Sequence, residues 1–364
     1  MYRLLLLFAL YGATPLQAQA DENLDGPYLT YNGNQLTAKW AWPEDRRSDS
    51  VAWSEEAAAT LPDFSAFRPE MIDPRRAFHR DARVDFQDVD SIAVMSDIHG
   101  QFDAARKLLI NARVIDEDNH WTYGHGHLVI VGDVFDRGPQ VNDVLWLIYN
   151  VQQEAAIAGG RVHFLLGNHE TMILGGDARY IHKRYLTTTA LLVTPYRELY
   201  GRNTYLGRWL RSLPLTIRIN DMVFVHGGFS RELLKEVNSL EKINDTYHRY
   251  LIDKDVNVMV AESHKLKTLH GNKGPLWYRG YFLDDEFTED DIDKILRKVD
   301  ASRMVVGHTS FNAIKSYFNG KVLAVDSSIK FGSTGEILLI EHGTMSRAML
   351  FGDREPLEAS TEKR

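Results

Sequence analysis

The sequence predicts an α/β protein, built on a parallel or mixed sheet with helices packed against it, and three observations carry that reading. Six short, β-branched apolar runs occur between residues 91 and 327: SIAVMSD (91–97), HLVIVGD (127–133), VHFLLGN (162–168), MVFVHG (222–227), RMVVGH (303–308) and VLAVDS (322–327). Helix-period segments, FDAARKLLINA and QVNDVLWLIYNVQQEAAI, alternate with the early runs. Each run also ends on a polar residue, most of them beside a glycine. Near-continuous apolarity means that both faces of each strand are covered. Strand, helix, strand, helix implies right-handed crossovers in a parallel or mixed sheet.

The chain has 364 residues, 44% hydrophobic and 25% charged, as in a soluble globular protein. A net charge of −8 argues against a nucleic-acid-binding surface. With no cysteine, disulfides, thiolate metal ligands and cysteine nucleophiles are excluded. The first residues, MYRLLLLFALYGATPLQAQA, combine one early arginine, a short apolar core and Ala18-Gln19-Ala20. That is the pattern of a signal peptide at 1–20, cut after Ala20, and it predicts an exported protein, periplasmic in a Gram-negative source. No later apolar run is long enough to cross a bilayer, so no membrane association is expected. Residues 21–85, with Trp40, Trp42 and Trp53 among charges, read as an N-terminal extension packed on the core. Residues 86–350 read as the catalytic domain, with insertions at about 172–215 and 229–300 expected to form helical caps over the site, and 351–364 as a C-terminal tail.

In an open α/β sheet, function collects at the carboxyl ends of the strands. One strand ending in Asp or His is an ordinary turn; five or six are not. Asp97, His99, Asp133, Asn168, His226 and His308 all fall there, and converging Asp, His and Asn side chains suit divalent metals such as Mn, Fe or Zn. Asp97 and His99 project from one strand end toward one ion, and Asp133 can bridge to a second completed by Asn168, His226 and His308. Two such ions clamp the oxygens of an in-line displacement at phosphorus and acidify a water. Adjacent side chains diverge, so His169 suits a general acid better than a ligand beside Asn168, with Asp136 orienting its ring. Arg137 presents a planar fork for phosphate oxygens. Glu170 reads as an anchor for the loop or for an arginine, not as a ligand. Arg279, in PLWYRG, is either a surface arginine or a second phosphate clamp. His125 and His127, where a strand starts, read as exposed loop; His120 and His163 lie on the same side and receive no role. Trp277 and Tyr278 read as core.

These blocks, SDIHG, GDVFDRG, GNHE and two later histidines in VHGG and VGHTS, resemble the metallophosphoesterase superfamily. The DRG and GNHE forms narrow the resemblance to the phosphoprotein phosphatase family, and the exported N-terminus to its Shewanella-like branch. The resemblance spans roughly residues 91–330. It implies a calcineurin-like metallophosphoesterase fold, two stacked mixed β-sheets flanked by helices, with helical insertions. It implies two divalent ions, one held by Asp97, His99 and Asp133, the other by Asp133, Asn168, His226 and His308. It also implies catalysis by His169 with Asp136, phosphate binding by Arg137 and Arg279, a phosphoprotein or phosphopeptide substrate, and a preference for phosphotyrosine, with no required protein partner. Ser96 departs from the family's usual glycine, and PLWYRG does not match the eukaryotic serine/threonine enzymes. The alternative within the superfamily is a serine/threonine or small-molecule phosphatase, such as a nucleotide hydrolase of the diadenosine-tetraphosphatase type. A nuclease is disfavoured by the acidic charge and by Arg137, and a purple acid phosphatase by Asp136 where that class carries tyrosine. The His169, Asp136 and Arg137 set argues against a metal-binding structural module, which does not need it.

Overall fold

Alternate residues of the buried runs face two different partners, and this sets the architecture. In the computed structural model, which describes residues 23–252, 261 and 263–358, strand β5 (Ser91–Met95) turns Ile92 and Val94 toward a second sheet and Ala93 and Met95 toward helices. The expected signal peptide lies outside the described residues, as do residues 359–364 of the expected tail.

One six-stranded sheet runs β15 (Glu355–Pro356), β14 (Thr344–Met349), β13 (Glu336–Glu341), β5, β6 (His127–Ile130), β7 (Arg161–Phe164). The other runs β11 (Lys315–Tyr317), β12 (Val322–Ala324), β10 (Arg303–Val306), β9 (Met222–Val225), β8 (Thr216–Ile219), β4 (Asp85–Phe86). Strands β5, β6 and β7 are parallel, as are β9, β10 and β12; the hairpin strands are antiparallel. Between the sheets lies a dry layer that includes Ile92, Val94, Val129, Phe224, Val305 and Leu338. On the outer face of the first sheet, the helices Phe102–Asn111 and Val141–Ile157 cover Ala93, Met95, Leu128 and Ile130. The fold is thus a calcineurin-like pair of stacked mixed sheets with flanking helices. Both faces of each sheet are covered, one by a sheet and one by helices.

Residues 25–52 form a third, antiparallel sheet of β1 (Asp25–Asn32), β2 (Gln35–Trp42) and β3 (Arg47–Ala52). Tyr28, Leu36 and Trp40 join the same apolar cluster as Trp146, whose indole N–H donates to the carbonyl of Pro27 at 3.1 Å. Much of the first insertion serves this sheet: Thr188, on the helix Lys183–Leu191, donates its hydroxyl to Asp25. In the second, the helix Leu240–Tyr250 places Asn244 against the backbone of β8. These two helices buttress sheets, while other segments of the same insertions reach the strand ends, with Tyr180 against His169 and Trp277 and Arg279 against His308.

His127 is a correction. It is buried at the start of β6 and not in an exposed loop, with its Nδ1 3.1 Å from Nε2 of the equally buried His163. The flanking β4 brings Phe86 against both rings and closes the edge that sequence alone left open.

The inter-sheet layer carries the fold, so Leu338→Ala is expected to lower the unfolding free energy by about 2–5 kcal/mol in chemical denaturation. A change below about 0.5 kcal/mol would show the layer to be loosely packed.

Candidate metal centre

Five chain segments end at the carboxyl edge of the stacked sheets and bury nine polar side chains together: Asp97, His99, Asp133, Asp136, Asn168, His169, Glu170, His226 and His308. Straight strands would carry these side chains past one another. The backbone turns abruptly instead, with φ of 54° at Asp97, 49° at His99, 59° at Asp133, 71° at Asp136, 65° at Arg137 and 64° at His308. Left-handed backbone at non-glycine residues costs roughly 1–3 kcal/mol each and concentrates at functional sites. Gly132, at φ 81°, sits so near Gly167 that a Cβ would come within 2.6 Å of its Cα and 2.8 Å of His226 Nδ1. The glycine before Asp133 is therefore demanded by close approach.

What holds these turns is Glu170. Its buried carboxylate accepts backbone N–H groups from Gly167 (2.6 Å), Asp133 (2.8 Å), Val134 (2.8 Å) and Phe135 (3.2 Å), so it ties the second and third loops together. The expected loop anchor is found, and among the described residues it binds no arginine. Asp97 Oδ2 accepts from the Ser96 hydroxyl (2.5 Å) and the His308 N–H (2.9 Å), which leaves Oδ1 facing His99 Nε2 at 3.9 Å. Ser96, which replaces the family's glycine, thus orients the carboxylate it precedes.

Asp133 is the hub. Its Oδ1 accepts the His169 N–H at 3.0 Å, and its Oδ2 lies 3.2 Å from His226 Nε2 and 3.8 Å from His99 Nε2 and His169 Nε2. Asn168 Oδ1 is 2.9 Å from His226 Nε2. Ligands bound at about 2.0–2.2 Å to one ion lie about 3–3.5 Å apart, a spacing that the His226 contacts match and that the His99 and His169 contacts, at 3.8–3.9 Å, exceed slightly. Nδ1 of His99 and of His226 each donate to a backbone carbonyl at 2.7 Å, Phe135 and Val131, which fixes the rings with Nε2 toward Asp133. His308 Nε2 is buried with no hydrogen-bond partner, and with Asp133 and His226 it forms one of two groups among the described residues able to hold a cation. The residues therefore fit divalent ions. The other group is His99, Asp133 and His169; Asp97 is placed beside His99, but His169 Nε2 comes closer to Asp133 than sequence spacing implied.

The electrostatics report the same need for cations. Burial, then Asp326 and Asp133, pushes Asp97 well above the usual carboxylate range. Burial would raise Asp133 too, but His226, His169 and His99 hold it well below. His226, which burial alone would depress, is driven up to about 10 by Asp133. Burial drives His99 down to about 3 and, together with the His226 charge, His308 down to about 2, so both present lone pairs.

His169 stands apart through its other nitrogen. Nδ1 lies 2.5 Å from Asp136 Oδ2, and although burial works against it, Asp133 and Asp136 raise its affinity for a proton. Arg137 is exposed at the mouth, its backbone N–H bonded to the Tyr180 carbonyl at 3.0 Å. Arg279 is also exposed, with Nη2 donating to the His308 carbonyl at 3.3 Å. Every site residue expected from sequence thus lies at this edge. Sequence reading missed Tyr180, 45% exposed with its ring 5.5 Å from that of His169, and Trp277, edge-on to His308 at 5.6 Å. Neither carries a periodic signal. Asp326, a looser case of the same strand-end pattern in VLAVDS, received no role from the sequence and is buried beside Asp97.

The model of the calcineurin-like phosphoesterase family matches residues 91–310. A crystal structure of the cold-active protein-tyrosine phosphatase of a psychrophile Shewanella species is 39% identical, with a TM-score of 0.82, over 92% of this chain and 99% of that one. Shewanella-like protein phosphatase 1 of Plasmodium berghei is 26% identical over 253 residues, 65% of this chain and 67% of that protein. Shewanella-like protein phosphatase 2 of Arabidopsis thaliana is 24% identical over 293 residues, 68% and 73% respectively.

Replacing the hub, Asp133→Asn, is expected to strip divalent metal from the purified protein in elemental analysis; retained stoichiometry would show that Asp133 ligates nothing. Glu170→Gln, which adds a donor where four N–H groups converge, is expected to lower the melting temperature while every ligand side chain remains. An unshifted melt would show that the loops are held by something else.

Proposed function

The chain belongs to the calcineurin-like phosphoesterase family and is a phosphatase; on that premise we propose that it is a dinuclear-metal phosphoprotein phosphatase that prefers phosphotyrosine. Asp97, His99 and Asp133 would hold one divalent ion, and Asp133, Asn168, His226 and His308 the other, with Mn, Fe or Zn matched to this donor set. Bound there, the ions supply positive charge to the phosphate oxygens and a water acidified toward neutrality.

The chain's own residues supply the rest. Asn168 is a neutral donor, so it adds no negative charge to repel phosphate. His169, with its Nδ1–H directed at Asp136, keeps a proton on Nε2 for the leaving oxygen. Arg137 and Arg279 bring guanidinium forks to the mouth, suited to the phosphate oxygens that the ions leave free.

The observation that carries the tyrosine preference is the Tyr180 ring. It is half exposed, tilted 50° against His169 and flanked by the guanidinium carbons of Arg137 at 5.8 Å and Arg179 at 5.9 Å. An aryl group leaving beside His169 would cover this ring, whereas a serine side chain would leave it wet. The Shewanella protein-tyrosine phosphatase supports the same reading. We read residues 1–20 as an export leader; N-terminal sequencing of protein from the native host should start at Asp21, and a retained Met1 would refute export by cleavage.

His169→Asn is expected to lower kcat by about 10²–10⁴ with metal content intact, and least for p-nitrophenyl phosphate, whose leaving oxygen needs little help from an acid. Loss of metal would make it a ligand instead. Tyr180→Ala is expected to lower the ratio of kcat/KM on matched phosphotyrosine and phosphoserine peptides by about 2–10-fold, the equivalent of roughly 0.5–1.5 kcal/mol for one aromatic pair. A wild-type enzyme that favours phosphoserine or a dinucleotide would overturn the preference and leave the hydrolytic assignment standing.

A further inference from the structure

The opposite end of the same sheets holds a concavity that phosphate hydrolysis does not use. A cleft of about 390 Å³ opens between the segment 76–83, β4, the start of β7 and the end of the helix Val141–Ile157. Arg161 opens β7, and Asn168 of the metal centre follows seven residues later. At ~3.3 Å per extended residue the two ends are roughly 20 Å apart.

Three arginines line this cleft, Arg76, Arg83 and Arg161, with one carboxylate, Asp81, among them. The guanidinium carbons of Arg83 and Arg161 lie 4.5 Å and 5.3 Å from the centre of the Phe86 ring. Asp81 Oδ2 is 4.0 Å from Arg83 Nη2 and 4.0 Å from Arg161 Nη1, beyond hydrogen-bond reach of both. Among the described residues, neither guanidinium donates a hydrogen bond. Burial and the Arg83 charge pull Arg161 below its usual range, so the pair carries more positive charge than Asp81 offsets. The remaining lining is mixed, with His79, Gln152 and Ser212 beside aromatic rings. Phe86 stands on the buried His163 at 4.6 Å, and Phe78 and Trp209 complete the walls. On a chain of net charge −8, this is a local excess of positive charge against aromatic surface.

Two guanidinium forks held over one buried aromatic ring match an oxyanion that each grips bidentately, with its apolar body against the partly exposed Phe78. We infer that this cleft is a second ligand site, for a small organic oxyanion that carries a phosphoryl, phosphonyl or sulfuryl group on a flat apolar body. Arg83 and Arg161 hold the anion, and the partly exposed Phe78 meets the body, while the buried Phe86 carries the two guanidinium groups. Asp81 occupies the space between the forks and competes with the ligand for them. The site does not depend on the tyrosine reading, since none of its residues lies at the metal centre.

The test is calorimetric titration of the full-length holoenzyme with phenylphosphonate, which has no ester bond to hydrolyse. Two binding events are expected, one at each end of the sheets. Arg83→Gln combined with Arg161→Gln is expected to weaken the second event at least about 10-fold, with kcat/KM on p-nitrophenyl phosphate and the melting temperature unchanged. Asp81→Asn, which keeps the side-chain acceptor for the Arg83 N–H, is expected to tighten that event by about 3–10-fold, because it removes the competing charge. Inorganic phosphate should bind there about 10-fold more weakly than phenylphosphonate. A single event in the wild type, a second event indifferent to the arginine replacements, weakening by Asp81→Asn, or equal affinity for the two anions would each overturn the assignment.

Discussion

A carboxylate buried among imidazoles is the constraint on which the rest depends. Asp133 is 2% exposed, and its Oδ2 has three histidine nitrogens within 3.8 Å. Protein alone resolves this badly. His226 is driven to carry a proton while burial strips His99 and His308 of theirs, and Asp97 is pushed toward neutrality. Divalent cations resolve it well, because carboxylate and neutral imidazole are then both satisfied as ligands. The same feature that strains the bare cluster fits it to phosphate chemistry.

The fold absorbs the consequences. Strand ends from both stacked sheets must reach one point, and they do so through left-handed turns at Asp97, His99, Asp133, Asp136 and His308. Glu170 offsets part of that strain with four backbone hydrogen bonds, and the dry inter-sheet layer fixes where the strands stop. A site held this way is preorganised, so little reorganisation is needed when substrate arrives.

Most of this edge was legible in the sequence, since β5, β6, β7, β9, β10 and β12 are buried on both faces and each delivers a ligand or loop at its carboxyl end. The rest was hidden for physical reasons. Of the strands β1–β3 only β2 alternates apolar and polar residues and β3 is exposed almost throughout, while the burial of β1 and β2 comes partly from the helix Val141–Ile157, which lies far along the chain. The hairpin β13–β14 pairs with β5 across more than 200 residues, and β4 and β15 are two-residue strands without periodicity. His127 and His163 looked idle because their rings pack on Phe86, which comes from the other sheet. Tyr180 is an exposed loop residue, and only its place against His169 gives it meaning.

The sheets therefore present two chemically different ends, an anionic cluster built for cations and a cationic cleft built for anions, joined by rigid strands. The most direct measurement of the central claim is anomalous diffraction from crystals of the protein purified without chelator, recorded across the Mn, Fe and Zn edges. Two peaks should appear, both in contact with Asp133, one beside His99 and the other beside Asn168, His226 and His308. A fully active crystal with no anomalous density against Asp133, or with a single ion that Asp133 does not touch, would contradict the account.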